Sequence, residues 1–451
     1  MPISEGTGEN PPGLPKCFEQ TPPFVYNPPM PTYRITAEQM VTGGDCISSI
    51  DGKKVFVPLA IPGEELEIEI TKEFRDYSQG RIVSVLTPSP HRVQPFCPRY
   101  GRCGGCNMMH IDGARQQELR TSILREAFQR EGLEVPEIEV VAGADRGYRA
   151  RFQLHDGGLM ERGSNTIIRL DGCACATPEV NRYLSEIPPA DRPKGRVHLF
   201  GSSAITSIPA DYDKIVIAHE VERQKKKEEK VLKGQPRRTI NGRPMKKQKK
   251  IKPRFEGTTF DPANRCTIDL LGKEISFDVQ GFFQSNLELL GKAIPLITGG
   301  LSGGNALDIY AGVGTFSVFL ADTFSKVCLV EHNRDALAWA EANLAGTAHE
   351  SYGVSADSWI KNHAAQFTAL NGPFDAVVVD PPRSGMEKTV SSWLAASDIP
   401  SIRSLSCDAA THARDIAQLV KGGYRLDRLF LLDFYPQTCH IESLAWLTKV
   451  K

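Results

Sequence analysis

Leu66, Ile68 and Ile70 alternate with Glu65, Glu67 and Glu69 at a period of two. That alternation predicts a strand with one buried and one solvated face. Val55–Phe56–Val57 and Gly80–Arg81–Ile82–Val83–Ser84–Val85–Leu86 read as further strands flanking a turn at Ile61–Pro62–Gly63, and Pro88 and Pro90 close the module. A small antiparallel β-barrel is expected over residues 32–90, and its pattern alone leaves a structural spacer and a module for single-stranded RNA equally open. Farther on the period changes. Leu119, Ile123, Leu124, Ala127 and Phe128, with Arg and Glu between them, predict an amphipathic helix over 114–131. A second β-rich region begins near Tyr148–Arg149–Ala150–Arg151–Phe152–Gln153–Leu154 and runs to about 270. Beyond it come short, wholly apolar runs at Ala306–Leu307, Val327–Cys328–Leu329–Val330, Ala376–Val377–Val378–Val379 and Phe430–Leu431–Leu432. Such runs suit a parallel sheet covered on both faces, so residues 271–451 are expected to form a Rossmann-like α/β domain.

The residues that end these runs carry chemistry. Asp308 closes the first, followed by a turn with Gly312 and Gly314 and a helix start at Phe316. In an open α/β sheet, ligands sit beyond the carboxyl ends of the strands. Glycines let the backbone approach such a ligand with no Cβ in the way. The next strand ends at Glu331, where a ribose diol would be gripped. There is no G-x-G-x-x-G, so an adenosyl ligand without pyrophosphate, S-adenosyl-L-methionine, fits better than NAD. Phe282–Phe283–Gln284–Ser285–Asn286 offers two aromatics and two amides that would close over a cofactor or stack on a base, although core packing explains both phenylalanines equally well. Asp380 precedes Pro381–Pro382, a rigid turn that holds the carboxylate at the sheet edge. Cys407 ends another strand next to a helix N-terminus, a setting expected to lower its pKa. The strand–turn–strand at 430–443 then returns His440 and Glu442 to the same edge.

The length of 451 residues leaves room for two or three domains. No apolar run approaches a membrane span and the N-terminus lacks a signal peptide's layout, so a cytoplasmic protein without membrane contact is expected. Eleven cysteines in that setting point to metal binding or catalysis rather than disulfides. Cys97, Cys103 and Cys106 share one glycine-rich loop, and either Cys173 or Cys175 would complete a set of four. Four thiolates suit an iron–sulfur cluster or structural zinc; a compact three-cysteine loop plus one distant ligand favours the cluster. Residues 1–31 are proline-rich and read as a disordered tail. Lys+Arg and Asp+Glu balance at 54 each, yet residues 223–254 hold fifteen Lys/Arg against two Glu. That insertion is either a solvated loop or an arm for RNA phosphates.

Taken together, Phe283–Gln284–Ser285–Asn286, Asp308 to Phe316, Asp380–Pro381–Pro382–Arg383, Ser406–Cys407 and Pro436–Gln437–Thr438–Cys439–His440–Ile441–Glu442 resemble the motifs of the RNA uracil-5-methyltransferases. Five motifs in the right order make the match specific, and it covers nearly the whole chain from residue 32. The cysteine loop resembles the [4Fe–4S] site of the family's ribosomal branch, where a proline stands five positions after the fourth ligand, as Pro178 does after Cys173. The barrel resembles that branch's TRAM domain, and the tRNA branch is expected to lack both. The resemblance implies three modules: an OB-like TRAM barrel (32–90), a central iron–sulfur domain (91–270) and a C-terminal methyltransferase domain (271–451). It implies Cys407 as the nucleophile and Glu442 as the proton acceptor. It also implies Gln284, Tyr310, Thr315 and Glu331 around S-adenosyl-L-methionine, with Asp380 against the cofactor or the uracil edge. Cys97, Cys103, Cys106 and Cys173 would be the cluster ligands. The expected product is 5-methyluridine in 23S rRNA, made by a monomer. Departures are Asp408–Ala409, where the family commonly has Asn-Pro, Ala311, where it often has cysteine, and the basic insertion. Competing readings are a tRNA uracil-5-methyltransferase, an amino-nitrogen methyltransferase, and a non-catalytic RNA-binding protein. The second would carry an aromatic where Arg383 stands.

Overall fold

The computed structural model describes residues 31–207, 214–219 and 265–450, with the backbone of 239–240 and 243–244. The proline-rich tail, but for residue 31, and nearly all of the basic insertion lie outside the described residues.

The first module is a six-stranded sheet in the order β1-β5-β6-β4-β3-β2. Its strands are β1 (Thr32–Thr36), β2 (Gln39–Met40), β3 (Cys46–Ile50), β4 (Lys53–Val57), β5 (Glu65–Glu73) and β6 (Tyr77–Thr87). Leu66 and Ile68 of β5 are buried as the alternation requires, and three register shifts along the β5–β6 pair bend the sheet. α1 (Gly113–Arg130) follows the cysteine loop, capped by Asp112, whose side chain accepts from the Arg115 amide. β7 (Ile138–Val141) comes next.

The middle of the chain forms a second sheet, order β10-β9-β8-β11-β13. It comprises β8 (Arg151–His155), β9 (Gly158–Met160), β10 (Ile167–Arg169), β11 (Arg196–Gly201) and β13 (Ile215–His219), with α2 (Pro178–Glu186) packed on it. β12 (Ile205–Ser207) joins β16 (Arg265–Leu270) and β17 (Lys273–Asp278), and β14 (Thr239–Ile240) pairs with β15 (Arg243–Pro244).

The third unit carries α3 (Leu287–Thr298), β18 (Gly303–Ile309), α4 (Ser317–Leu320), β19 (Phe324–Val330), α5 (Arg334–Asn343), β20 (His349–Tyr352), α6 (Ala356–Asn362) and α7 (Ala364–Asn371). It continues through β21 (Ala376–Val379), α8 (Lys388–Ala396), β22 (Ser401–Ser406), α9 (Ala409–Lys421), β23 (Tyr424–Leu432) and β24 (Glu442–Lys449). The strands run β20-β19-β18-β21-β22-β24-β23-β7. All neighbours are parallel except at β24, which is antiparallel to both β22 and β23. Alternate residues enter two cores. Leu307, Ile309, Val377 and Val379 face α1, α8 and α9, whereas Ala306, Ala376 and Val378 pack with α3, α5 and β17. Burial on both faces is why these strands read as unbroken apolar runs. Residues 113–141 lie near the cysteine loop in sequence, yet α1 and the edge strand β7 complete this large sheet. No described helix is long and apolar enough to cross a membrane.

Candidate active site

Strand register assembles the reactive residues. Ser406 of β22 faces Ser443 of antiparallel β24. Cys407 directly follows Ser406 and Glu442 directly precedes Ser443, so the thiol and the carboxyl meet at this edge, close enough for the carboxylate to raise the thiol's pKa. Val379 of β21 pairs with Ser404 of parallel β22, which brings Asp380 to the same carboxyl edge. Burial pushes Glu442 up to about 8, with Asp380 adding repulsion and Arg383 opposing it. Burial also lifts Asp380 to about 6. Cys407 is pushed up to about 11, by burial first and then by Glu442 and Asp380, while Arg383 pulls the other way. This corrects the expectation of a lowered thiol pKa. The helix N-terminus is present, but Asp408 already answers its amides by accepting from Thr411 N (2.9 Å), and two carboxylates face the thiol. The departure at Asp408 is thus a helix cap.

A carboxyl whose folded pKa is raised stabilises the fold below its unfolded value, and that contribution is lost as pH rises through the folded value. Glu442, lifted from 4.5 to about 8, spends that range becoming a half-buried charge beside Asp380. Glu442→Gln is expected to raise the melting temperature by about 2–4 °C at pH 8.5 and to leave it nearly unchanged at pH 5. Thermal unfolding at the two pH values checks this; an equal gap at both would contradict it.

The glycine turn lies two strands away. Asp308 is 0% exposed, accepts a hydrogen bond from Ser317 Oγ, and is driven up to about 7 chiefly by burial. Gly312 has φ +57° with open space where a Cβ would stand, and its amide donates to Glu331 Oε2 (3.0 Å). Asn333 N donates to Glu331 Oε1 (2.7 Å), which holds that carboxylate over the turn. Tyr310 adopts φ +67°, costly for a residue with a Cβ, and its hydroxyl donates to Glu387. Thr315 is half-buried in the same turn. Gln284 Oε1 and Asp308 Oδ1 are buried oxygens without a partner among the described residues. An amino or hydroxyl donor of a bound ligand would satisfy them. Asn286 Nδ2 donates to Phe434 O (3.2 Å), tying the 282–286 segment to the end of β23. Phe283 is buried and stacked parallel on Phe277 at 4.0 Å, which removes it from base stacking. Phe282 is 69% exposed and is the aromatic left for that purpose.

Cys97, Cys103, Cys106, Cys173 and Cys175 all line one cavity of about 390 Å³. Cys106 Sγ and Cys175 Sγ lie 3.8 Å apart. Among the described residues no three His, Cys, Asp or Glu side chains group as a site for a single metal ion. Residues outside the motifs also reach the site. Tyr148, on the wall of the cysteine cavity, donates to Pro436 O (2.9 Å), and Arg120 of α1 pairs with Asp433 (2.6 Å) at the end of β23. In the sequence both look like ordinary strand and helix positions, with no local signal to mark them.

A parallel sheet covered on both faces, with one reversed strand, acids along its carboxyl edge and a thiol opposed by a carboxylate, defines an α/β enzyme domain of the methyltransferase class. The sequence pattern of the tRNA (Uracil-5-)-methyltransferase family matches residues 114–450. An uncharacterized RNA methyltransferase of Treponema denticola is 35% identical over 92% of this chain and 98% of its own. The 23S rRNA (uracil(1939)-C(5))-methyltransferase RlmD of Chromohalobacter salexigens is 30% identical over 88% of this chain and 85% of its own. Among solved structures, the Pyrococcus abyssi tRNA (uracil-54, C5)-methyltransferase in complex with S-adenosyl-L-homocysteine superposes with a TM-score of 0.64 at 21% identity. It covers 92% of this chain and 100% of its own. The chain belongs to this RNA uracil-5-methyltransferase family. The superposition leaves less than a tenth of the chain uncovered. The match in fold extends over the N-terminal region as well, so fold alone does not separate the two substrates.

Proposed function

We propose that the chain methylates uridine at C5 in RNA, in the first place 23S rRNA, through a covalent adduct of Cys407 with the uracil ring. The observation that carries this reading is the meeting of Cys407 and Glu442, each next to the Ser406–Ser443 pair, at the edge that also bears the glycine turn. Uracil C5 is a weak nucleophile. The Cys407 thiolate adds to C6, and the displaced ring electrons make C5 an enolate carbon able to take a methyl group. S-adenosyl-L-methionine supplies an electrophilic methyl group. Glu442 then takes the C5 proton, the C5–H electrons restore the C5–C6 double bond, and the thiolate leaves. A carboxylate lifted to about 8 is a base matched to neutral pH. Arg383 offsets the two carboxylates when the thiolate forms. The cofactor would lie along Gln284, Tyr310, Thr315 and Glu331, with Asp380 between it and the base. The unpartnered Gln284 Oε1 and the open space above Gly312 fit such a ligand. Phe282 would stack on a base drawn out of the RNA.

Cys97, Cys103, Cys106 and Cys173 would hold a [4Fe–4S] cluster. A single zinc ion needs its thiolates about 2.3 Å from one point, whereas a cluster binds thiolates at four separate corners. A cavity of about 390 Å³ lined by these four cysteines leaves room for the second. Cys103→Ser is expected to lose the brown chromophore and soluble yield together; stoichiometric zinc without iron in the native protein would contradict the cluster. We read the chain as a monomer with a TRAM domain over 32–90 (β1–β6), an iron–sulfur domain over 91–270, from which α1 and β7 reach across to complete the catalytic sheet, and a catalytic domain over 271–451.

A tRNA substrate is the second reading, favoured by the superposition on a tRNA enzyme. The test supplies methyl-labelled S-adenosyl-L-methionine and unmodified total RNA to anaerobically purified protein, and maps the label. Label in 23S rRNA uridine supports the first reading, label in tRNA the second, and none from intact protein would overturn both.

A further inference from the structure

Asn107 directly follows Cys106, and its side chain joins three distant parts of the chain. Its Oδ1 accepts from the Cys439 amide (2.9 Å), while Nδ2 donates to Gly43 O (3.0 Å) in the barrel and lies 3.0 Å from Cys439 Sγ. The main chain reinforces this contact. The amides of Asn107 and Met108 both donate to Gln437 O, at 3.1 and 3.0 Å. Gln437 has φ +68°, a conformation that a residue with a Cβ keeps only when its surroundings impose it. Gln116 completes the clamp, accepting from Gln437 N (3.1 Å) and donating to Gln437 Oε1 (3.0 Å). Tyr148, from the wall of the cysteine cavity, holds Pro436 O. The segment that begins at Cys106 thus supplies most of the hydrogen bonds on the turn 436–439, with Tyr148 and Asp145 adding one each, and Glu442 opens β24 just beyond it.

We infer that Asn107 is a positioning residue for Glu442: it transmits the placement of the cysteine loop to the turn that aims the base at the uracil C5 proton. The inference rests on the proposed uracil-C5 reaction. None of these hydrogen bonds reaches Cys407, which is carried by β22 and α9. Loosening the turn thus moves the base relative to the nucleophile. Addition to C6 and methyl transfer go on without the base, but the C5–H electrons cannot restore the double bond until Glu442 takes the proton. The enzyme then stalls as a methylated covalent adduct after one turnover.

Gly44 allows the same contact to be disturbed from the barrel. It has φ +85°, and a Cβ there would stand 2.8 Å from Asn107 Nδ2 and 2.9 Å from Cys439 Cβ. Full-length Asn107→Ala and Gly44→Ala proteins are compared with wild type on ordinary uridine RNA. Steady-state kcat and KM, the first-turnover methyl burst and the SDS-stable protein–RNA adduct are recorded. Both variants are expected to lose roughly 10- to 100-fold in kcat with KM unchanged, to keep a burst of one methyl per enzyme, and to accumulate adduct. Wild-type kcat in both would overturn the inference, and so would a slowed enzyme with neither burst nor adduct. Failure of the wild-type protein itself to methylate uridine would overturn the underlying reaction and this inference with it.

Discussion

Cys407→Ala is expected to abolish methyl transfer, by a factor on the order of 10⁴ or more, and to yield no covalent adduct with RNA containing 5-fluorouridine. The size follows from the chemistry. Without addition at C6 there is no enolate at C5, and no other group at the site replaces a thiol as nucleophile. Glu442→Gln separates the two roles. It is expected to form the adduct and to transfer one methyl, then to release product slowly, because only the later proton removal needs the base. Adduct yield and single-turnover methyl transfer, measured side by side for both variants, check the assignment. Equal methylation by Cys407→Ala and wild type would remove the nucleophile. That outcome would favour an amino-nitrogen methyltransferase, for which a thiol at this position has no use.

The second large effect concerns stability. Arg120 is 1% exposed and Asp433 3%, and the guanidinium grips both carboxylate oxygens at 2.6 and 2.8 Å. Arg120→Ala leaves a buried carboxylate without its cation, expected to cost about 3–5 kcal/mol in urea unfolding. The paired replacement Arg120→Met with Asp433→Leu is expected to cost much less, since it removes both charges at similar volume. A loss below about 1 kcal/mol for the single variant would contradict the pairing. The pair links α1 to the end of β23, where the turn leading to Glu442 begins.

Local pattern and long-range geometry were not equally legible. The strands at 303–309, 324–330 and 376–379 could be read because burial on both faces demands unbroken apolar residues, and β5 because burial on one face demands alternation. Cys407 and Glu442 were each visible at a strand end. Their meeting was not, because it depends on the antiparallel insertion of β24 between β22 and β23. The raised pKa of Cys407 is hidden from the sequence for the same reason. The helix N-terminus lies beside it in sequence, whereas Asp380 and Glu442 approach from other strands. Arg120 looked like a solvated position on an amphipathic helix, and its partner stands more than 300 residues away. Phe283 and Phe282 are neighbours that the pattern could not rank; only the stacking of Phe283 on Phe277 separates core from surface.

The central claim is that methylation replaces the hydrogen on uracil C5. RNA carrying tritium at uridine C5 would be methylated by the protein with carbon-labelled S-adenosyl-L-methionine, and tritium released to water counted against methyl gained. The expected result is one tritium released for each methyl incorporated, at every time point. Methyl incorporation without tritium release would place the methyl on another atom and contradict the mechanism.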